Sequence, residues 1–221
     1  MFTNFEMNEN LFNAQYNVTK KSKLSKFYEA NKVLIYSFIS ILIISIASII
    51  FYLEKKEKEK TLLAENYIEA VVYSKNGDRN QAVNILREVI FANDSTYSTL
   101  SLFLILNENL IVEKEELLHL FNHVLKENKF EKEVRNLIIF KKALFQSNFV
   151  SELELLEAVK PLVNTETIWK PHALLLLGDY FASKKEYLKA KEFYMKILSL
   201  RNLHKELYNH ARSQLIFITN D

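Results

Sequence analysis

The stretch whose reading sets the architecture is PHALLLLGDYFASKKEYLKAKEFYMKIL, residues 171–198. Leu174, Leu177 and Phe181 follow one another at three- and four-residue spacing, stop at a polar break, and resume as Tyr187, Ala190, Tyr194 and Ile197. Apolar residues one helical turn apart form a stripe, so the two halves read as helices that bury their stripes against each other. Gly178 and Ala190 are the small members of these stripes. There the two backbones can approach closely, while Phe181, Tyr187 and Tyr194 fill the space towards neighbouring hairpins.

A second copy of the spacing begins upstream. Ala70, Tyr73 and Ala82 repeat the intervals of Gly178, Phe181 and Ala190, with Leu86 and Val89 in register and Gly77 in the turn. The two units lie 108 residues apart, close to three periods of about 34 residues, which leaves room for two more pairs between them. Helical periodicity accordingly predicts helices over 62–75, 79–92, 96–108, 113–127, 131–147, 151–160, 170–184, 186–200 and 204–218, and no strand pattern survives. Pro161 is expected to end or kink the sixth of these and Pro171 to open the seventh, where its missing N–H costs nothing. The last stretch, HKELYNHARSQLIFI, has no partner helix and reads as a cap. This arrangement resembles the tetratricopeptide pattern, so the expected fold is all-α: an N-terminal transmembrane helix, then a tetratricopeptide-like solenoid of about four helix pairs plus a capping helix.

Composition agrees with long helices. Two Gly and two Pro in 221 residues leave too few breakers for a sandwich, a barrel or a doubly wound sheet. The absence of Cys excludes disulfides, thiol catalysis and thiolate metal sites, and leaves the redox compartment open. A formal charge of +2, with Lys and Glu interleaved, gives no basic face, and no nucleic-acid partner is expected.

From Val33 to Leu53 the chain reads VLIYSFISILIISIASIIFYL without a charge, a helix of about 31 Å that matches a bilayer core. Ser37, Ser40, Ser45 and Ser48 can return their hydroxyl bonds to helix carbonyls, and Tyr36 and Tyr52 stand near the two ends, where amphipathic rings favour the interface. A mostly polar segment precedes the run and charges follow it at once, which argues for an uncleaved anchor over a signal peptide. Five lysines (Lys20, Lys21, Lys23, Lys26, Lys32) flank the N-side and four (Lys55, Lys56, Lys58, Lys60) the C-side, which leans only slightly to a cytoplasmic N-terminus. The expected organisation is therefore 1–32 as a cytoplasmic segment, 33–53 as the transmembrane helix, 54–63 as a charged helical stalk and 64–221 as the repeat domain.

In the order of its parts the chain resembles the YfgM-type family of bacterial inner-membrane proteins. The resemblance rests on an acidic, Asn-rich start at Glu6 to Leu11, the basic juxtamembrane KLSKFYEANK, the anchor, NGDRNQA in the first repeat, and the late TIWKPHALLLLGDYF with Trp169, Pro171, Ala173 and Gly178. Asn8 and Asn10 depart from the family's acidic tendency, and the repeat consensus is lost between residues 96 and 165. The resemblance implies a periplasmic tetratricopeptide-like domain on an inner-membrane anchor. The implied role is that of an ancillary subunit of the Sec translocon, with translocon subunits, periplasmic chaperones and exported clients as partners.

Chemistry-bearing groups are few. Gly77 and Gly178 are too far apart to cradle a phosphate. His119 and His123 share a helix face but lack a third ligand, so a surface pair is favoured over a metal site. Asp179 with His172 and His210 has no nucleophile at a placeable spacing, and no catalysis, cofactor or metal is expected. Projected onto a tetratricopeptide array, Tyr67, Val71 and Ser74 in the first unit and His172, Leu175, Asp179 and Ala182 in the last face the concave groove, which suits protein segments. The alternative is that they pack against the cap or nearby loops. The groove lacks the Lys and Arg pairs that clamp a terminal carboxylate. A membrane-anchored adaptor is thus expected, with a structural scaffold in envelope assembly or division, self-associating through its repeats, as the competing reading.

Overall fold

The computed structural model describes residues 23–220, which divide into two units, one ending at Glu59 and one beginning at Lys60. Helix α1 (Lys23–Lys75) runs from the first into the second. It starts ten residues ahead of the apolar run and includes both the charged 54–63 stretch and the helix expected at 62–75. No Gly or Pro interrupts it. In the first unit the residues from Val33 to Leu53 are almost all exposed, and the segment is long and apolar enough to cross a membrane. The Ser48 hydroxyl returns a bond to the Ile44 carbonyl at 2.8 Å, which satisfies that group without water. Past the apolar run, Glu54 pairs with Lys58 at 2.8 Å and Lys55 with Glu59 at 3.8 Å, one helical turn apart, the spacing that supports an exposed helix.

In the second unit the end of α1 is followed by α2 (Arg79–Phe91), α3 (Ser95–Asn107), α4 (Lys114–Glu127) and α5 (Lys132–Gln146). Then come α6 (Glu152–Val163), α7 (Lys170–Ser183), α8 (Tyr187–Leu198) and α9 (Lys205–Asn220). Among the described residues every regular element is a helix. From α2 onward each helix packs on the next, and α2 also touches α4, α5 touches α7, and α7 touches α9. Neighbour and next-but-one contacts without longer-range ones are what stacked helical hairpins produce. α7 and α8 make the most extensive pair, and α9 lies against both of them.

The interior has two cores. One, around Leu86, Leu102, Ile105 and Phe121, extends from Ala70 in α1 to Ile138 in α5. The other, around Leu155, Leu177, Phe181 and Tyr194, extends from Ala143 in α5 to Ile218 in α9. Helix α5 thus gives one fully buried residue to each, Ile138 and Ala143, with Phe145 packed on the first core and Ile139 and Phe140 on the second, and joins them.

The turns explain the spacing of the repeats. After α1, Gly77 adopts φ +85°, and the Asp78 N–H donates to the Tyr73 carbonyl at 3.0 Å. After α7, Lys185 adopts φ +64°, and the Glu186 N–H donates to the Phe181 carbonyl at 2.9 Å. This is the same six-to-one closure at positions 108 residues apart, so the two units match in backbone as well as in side chains. Asn93, Asn109 and Asn202 take the left-handed conformation after α2, α3 and α8, which Asn tolerates better than most residues. Asp94 caps α3 by accepting the N–H groups of Thr96 and Tyr97, and Ser151 with Glu154 forms a reciprocal capping box on α6, whose hydrogen bonds hold the Glu154 carboxyl below its ordinary range.

One boundary differs from expectation. α6 does not end at Lys160 but continues through Pro161 to Val163. Proline forfeits a single backbone bond at that place in the last turn. Val159 and Leu162, both fully buried, are held on the core by carrying the turn further, and the Asn164 N–H closes it on the Lys160 carbonyl at 3.2 Å. Pro171 lies in the first turn of α7, as its chemistry requires.

Candidate functional site

Of the seven groove positions, three lie on the last turns of α1. Tyr67, Val71 and Ser74 are all half-buried. The Tyr67 ring lies with its centroid 6.4 Å from that of Tyr97 on α3 and packs on the first core. The other four lie on α7: His172, Leu175 and Ala182 half-buried, Asp179 exposed. Leu175 and Ala182 pack on the second core. Tyr67 and the Leu175–Ala182 pair therefore belong to different cores. Asp179 has partners inside the fold. It accepts the Tyr194 hydroxyl from α8 at 2.7 Å and lies 3.6 Å from His210 of α9. Burial, reinforced by that bond, pushes the Tyr194 phenol well above its ordinary range.

His172 stands where α7 meets the loop before it. Its ring lies 5.2 Å from that of Trp169 and 5.8 Å from Phe140, and Trp169 stacks on Phe140 at 5.7 Å with 22° between planes. The loop is tied to α5 by a network that sequence reading did not find. The Glu133 carboxylate accepts the Thr167 hydroxyl and the Ile168 N–H, its carbonyl accepts the Trp169 indole N–H at 3.0 Å, and the buried Asn136 donates to Thr167 at 3.0 Å. The only sequence hint was Trp169 itself, since a large ring with one donor seeks an apolar seat and an acceptor.

Beside this loop opens a cleft of about 700 Å³, bounded by the start of α7, the 199–204 turn and the start of α9. Lys170 and Glu166 pair across its edge at 3.0 Å. His172 lines it, with Nδ1 sealed from solvent and without a hydrogen-bond partner. Arg201 and His204 also line it. They went unremarked in the sequence because they lie on a turn, outside any helix face.

Elsewhere polar groups serve packing. His123 bonds to Asn93 at 2.8 Å and meets Phe91 edge-on, so that ring is engaged by its own neighbours. Lys189 joins α8 to α6 through Glu152 at 2.8 Å while also holding Glu186 at 2.7 Å, and these carboxylates, Glu152 foremost, raise its pKa. Lys142 on α5 is drawn the other way by burial, its ammonium donating to the neutral Asn122 amide at 2.7 Å.

The family model described as tetratricopeptide repeat matches residues 171–202, the α7–α8 hairpin with its closing turn. No curated protein and no solved structure matches the chain. The all-helical array is thus tetratricopeptide-like, with the consensus concentrated in one hairpin, and folds of this kind typically serve as protein-binding scaffolds without catalysis.

Proposed function

We propose that this chain is a membrane-anchored protein-binding adaptor. The observation that carries the reading is the coexistence, on one chain, of an unburied apolar run long enough to span a bilayer and a tetratricopeptide-like array. An apolar helix face of this length in water would aggregate, so a bilayer is its natural surrounding. The anchor is residues 33–53, with 1–32 cytoplasmic and the array periplasmic at the inner membrane, as the YfgM-type resemblance implies. The partners are translocon subunits along the anchor, and chaperones or exported clients at the groove positions Tyr67, Val71, Ser74, His172, Leu175, Asp179 and Ala182.

Photo-crosslinking in native membranes tests this, with the reactive group at Ile44 in the anchor and at Tyr67 and Leu175 in the array. Adducts from Ile44 to translocon subunits, and from the array to exported proteins or chaperones, support it. Adducts only to a second copy of the chain or to envelope-assembly proteins overturn it in favour of a self-associating scaffold.

A further inference from the structure

The cleft between the 164–169 loop, the start of α7 and the 199–204 turn shares His172 with the groove positions and is otherwise lined by residues outside them. We infer that it takes a segment of a partner protein in which a carboxylate side chain neighbours an apolar one. The inference rests on the adaptor reading and names the chemistry of one partner contact.

Three observations lead to it. First, both acids of the cleft are already engaged within the fold: Glu133 accepts from Thr167 and Ile168, and Glu166 pairs with Lys170. Arg201 and His204 are not. Among the described residues the exposed Arg201 guanidinium and His204 ring, which both line the cleft, have no hydrogen-bond or ion-pair partner within the fold. Second, the wall is mixed. Leu200, Leu203 and Leu207 alternate with Arg201 and His204 along the turn and the first turn of α9, and all five line the cleft. A guanidinium next to leucine side chains matches an acid next to an apolar residue, whereas a free phosphate would meet the guanidinium and leave the leucines uncovered. Third, the volume of about 700 Å³ lies within the range of roughly 300–1,000 Å³ that specific ligand clefts occupy.

The turn is held for this purpose. Asn202 takes φ +58° between Arg201 and Leu203, and the Leu200 N–H closes on the Ile197 carbonyl at 3.0 Å, fixing the backbone that carries Arg201 and His204. Arginine suits the role because its planar fork meets a carboxylate with two parallel bonds.

The test uses the full chain in detergent with a fluorescent, C-terminally amidated peptide that alternates Asp and Leu, read by anisotropy. An alternating Asn and Leu peptide and free succinate serve as controls. The expected result is binding of the acidic peptide, at least about tenfold weaker binding of the Asn peptide, and a loss of about tenfold, equal to about 1.4 kcal/mol, in Arg201→Ala combined with His204→Ala at unchanged thermal unfolding. Arg201→Glu should lose the acidic peptide and gain one alternating Lys and Leu. Equal binding of the Asp and Asn peptides, indifference to the Arg201 and His204 substitutions, or succinate binding as tightly as the peptide overturns the inference. If it fails while array crosslinks to partners persist, the adaptor reading stands without this site; if those crosslinks are absent as well, both fall.

Discussion

A Cβ atom placed on Gly178 would lie 2.5 Å from Cε1 and 2.8 Å from Cδ1 of Tyr194. The Tyr194 ring, fully buried, occupies the space that any side chain at position 178 would need, and its hydroxyl reaches Asp179 on the same helix. The tightest contact between α7 and α8 is thus made by the absence of one side chain and the size of another.

Gly178→Ala should therefore destabilise the second core. Overpacking costs about 1–3 kcal/mol, and the better helix propensity of Ala returns about 1 kcal/mol, which leaves a net loss of up to about 2 kcal/mol. Urea unfolding followed by fluorescence of Trp169, the single tryptophan, measures it. In a Tyr194→Leu background the same substitution should be nearly neutral; an equal cost in both backgrounds would show that the ring is not the obstacle.

The Tyr194 phenol gives alkaline unfolding a specific origin. Burial, and then the Asp179 bond, raise its pKa in the folded state above the ordinary value of about 10. Folding thus favours the neutral phenol, and this contribution is complete below about pH 10 and declines as pH climbs from there towards the folded value. Tyr194→Phe cannot ionise. It should be less stable at neutral pH by about 1 kcal/mol through the lost hydrogen bond, and the gap should narrow above about pH 10. A constant gap from neutral to strongly alkaline pH would contradict the assignment.

Equivalent turns carry different residues, Gly77 and Lys185, at φ +85° and +64°. A side chain in this region costs about 1–2 kcal/mol. Lys185→Gly should then raise stability by about 1 kcal/mol, and Gly77→Ala should lower it by a similar amount although nothing lies within 4 Å of the added methyl. Thermal unfolding of the two variants side by side separates backbone strain from packing; Lys185→Gly leaving stability unchanged would mean the turn relaxes.

The loop before α7 hangs on Glu133. Glu133→Ala removes the acceptor of Thr167 and Ile168 and should cost about 1–3 kcal/mol, with a red shift of Trp169 emission as the ring loses its seat on Phe140. Glu133→Gln keeps one acceptor oxygen and should retain part of both. No emission change in the Ala variant would place the anchoring of the loop in the ring stack alone.

Much of the architecture was legible before any coordinates, because its determinants are local. Asn93, Asn109 and Asn202 take positive φ at helix ends, since a short polar side chain tolerates what a branched one does not. The interval that relates Ala70, Tyr73 and Ala82 to Gly178, Phe181 and Ala190 reappears in the hydrogen bonds that close α1 and α7. Where reading failed, a distant contact had outvoted a local preference. α6 was expected to stop at Lys160, with Pro161 ending or kinking it, and the burial of Leu162 goes with a helix that runs on to Val163.

By itself the sequence determined the helices, their order, the unburied apolar run and the hairpin at 171–198, all of which depend on periodicity and on residues within a turn or two of one another. Only the tertiary structure decided that Asp179 engages Tyr194 and His210, that Glu133 holds a loop more than thirty residues away, and that Arg201 and His204 share a cleft with His172. Those relations join residues on different helices and loops, where no spacing along the chain encodes a distance and only the stacking of one hairpin on the next brings the groups together.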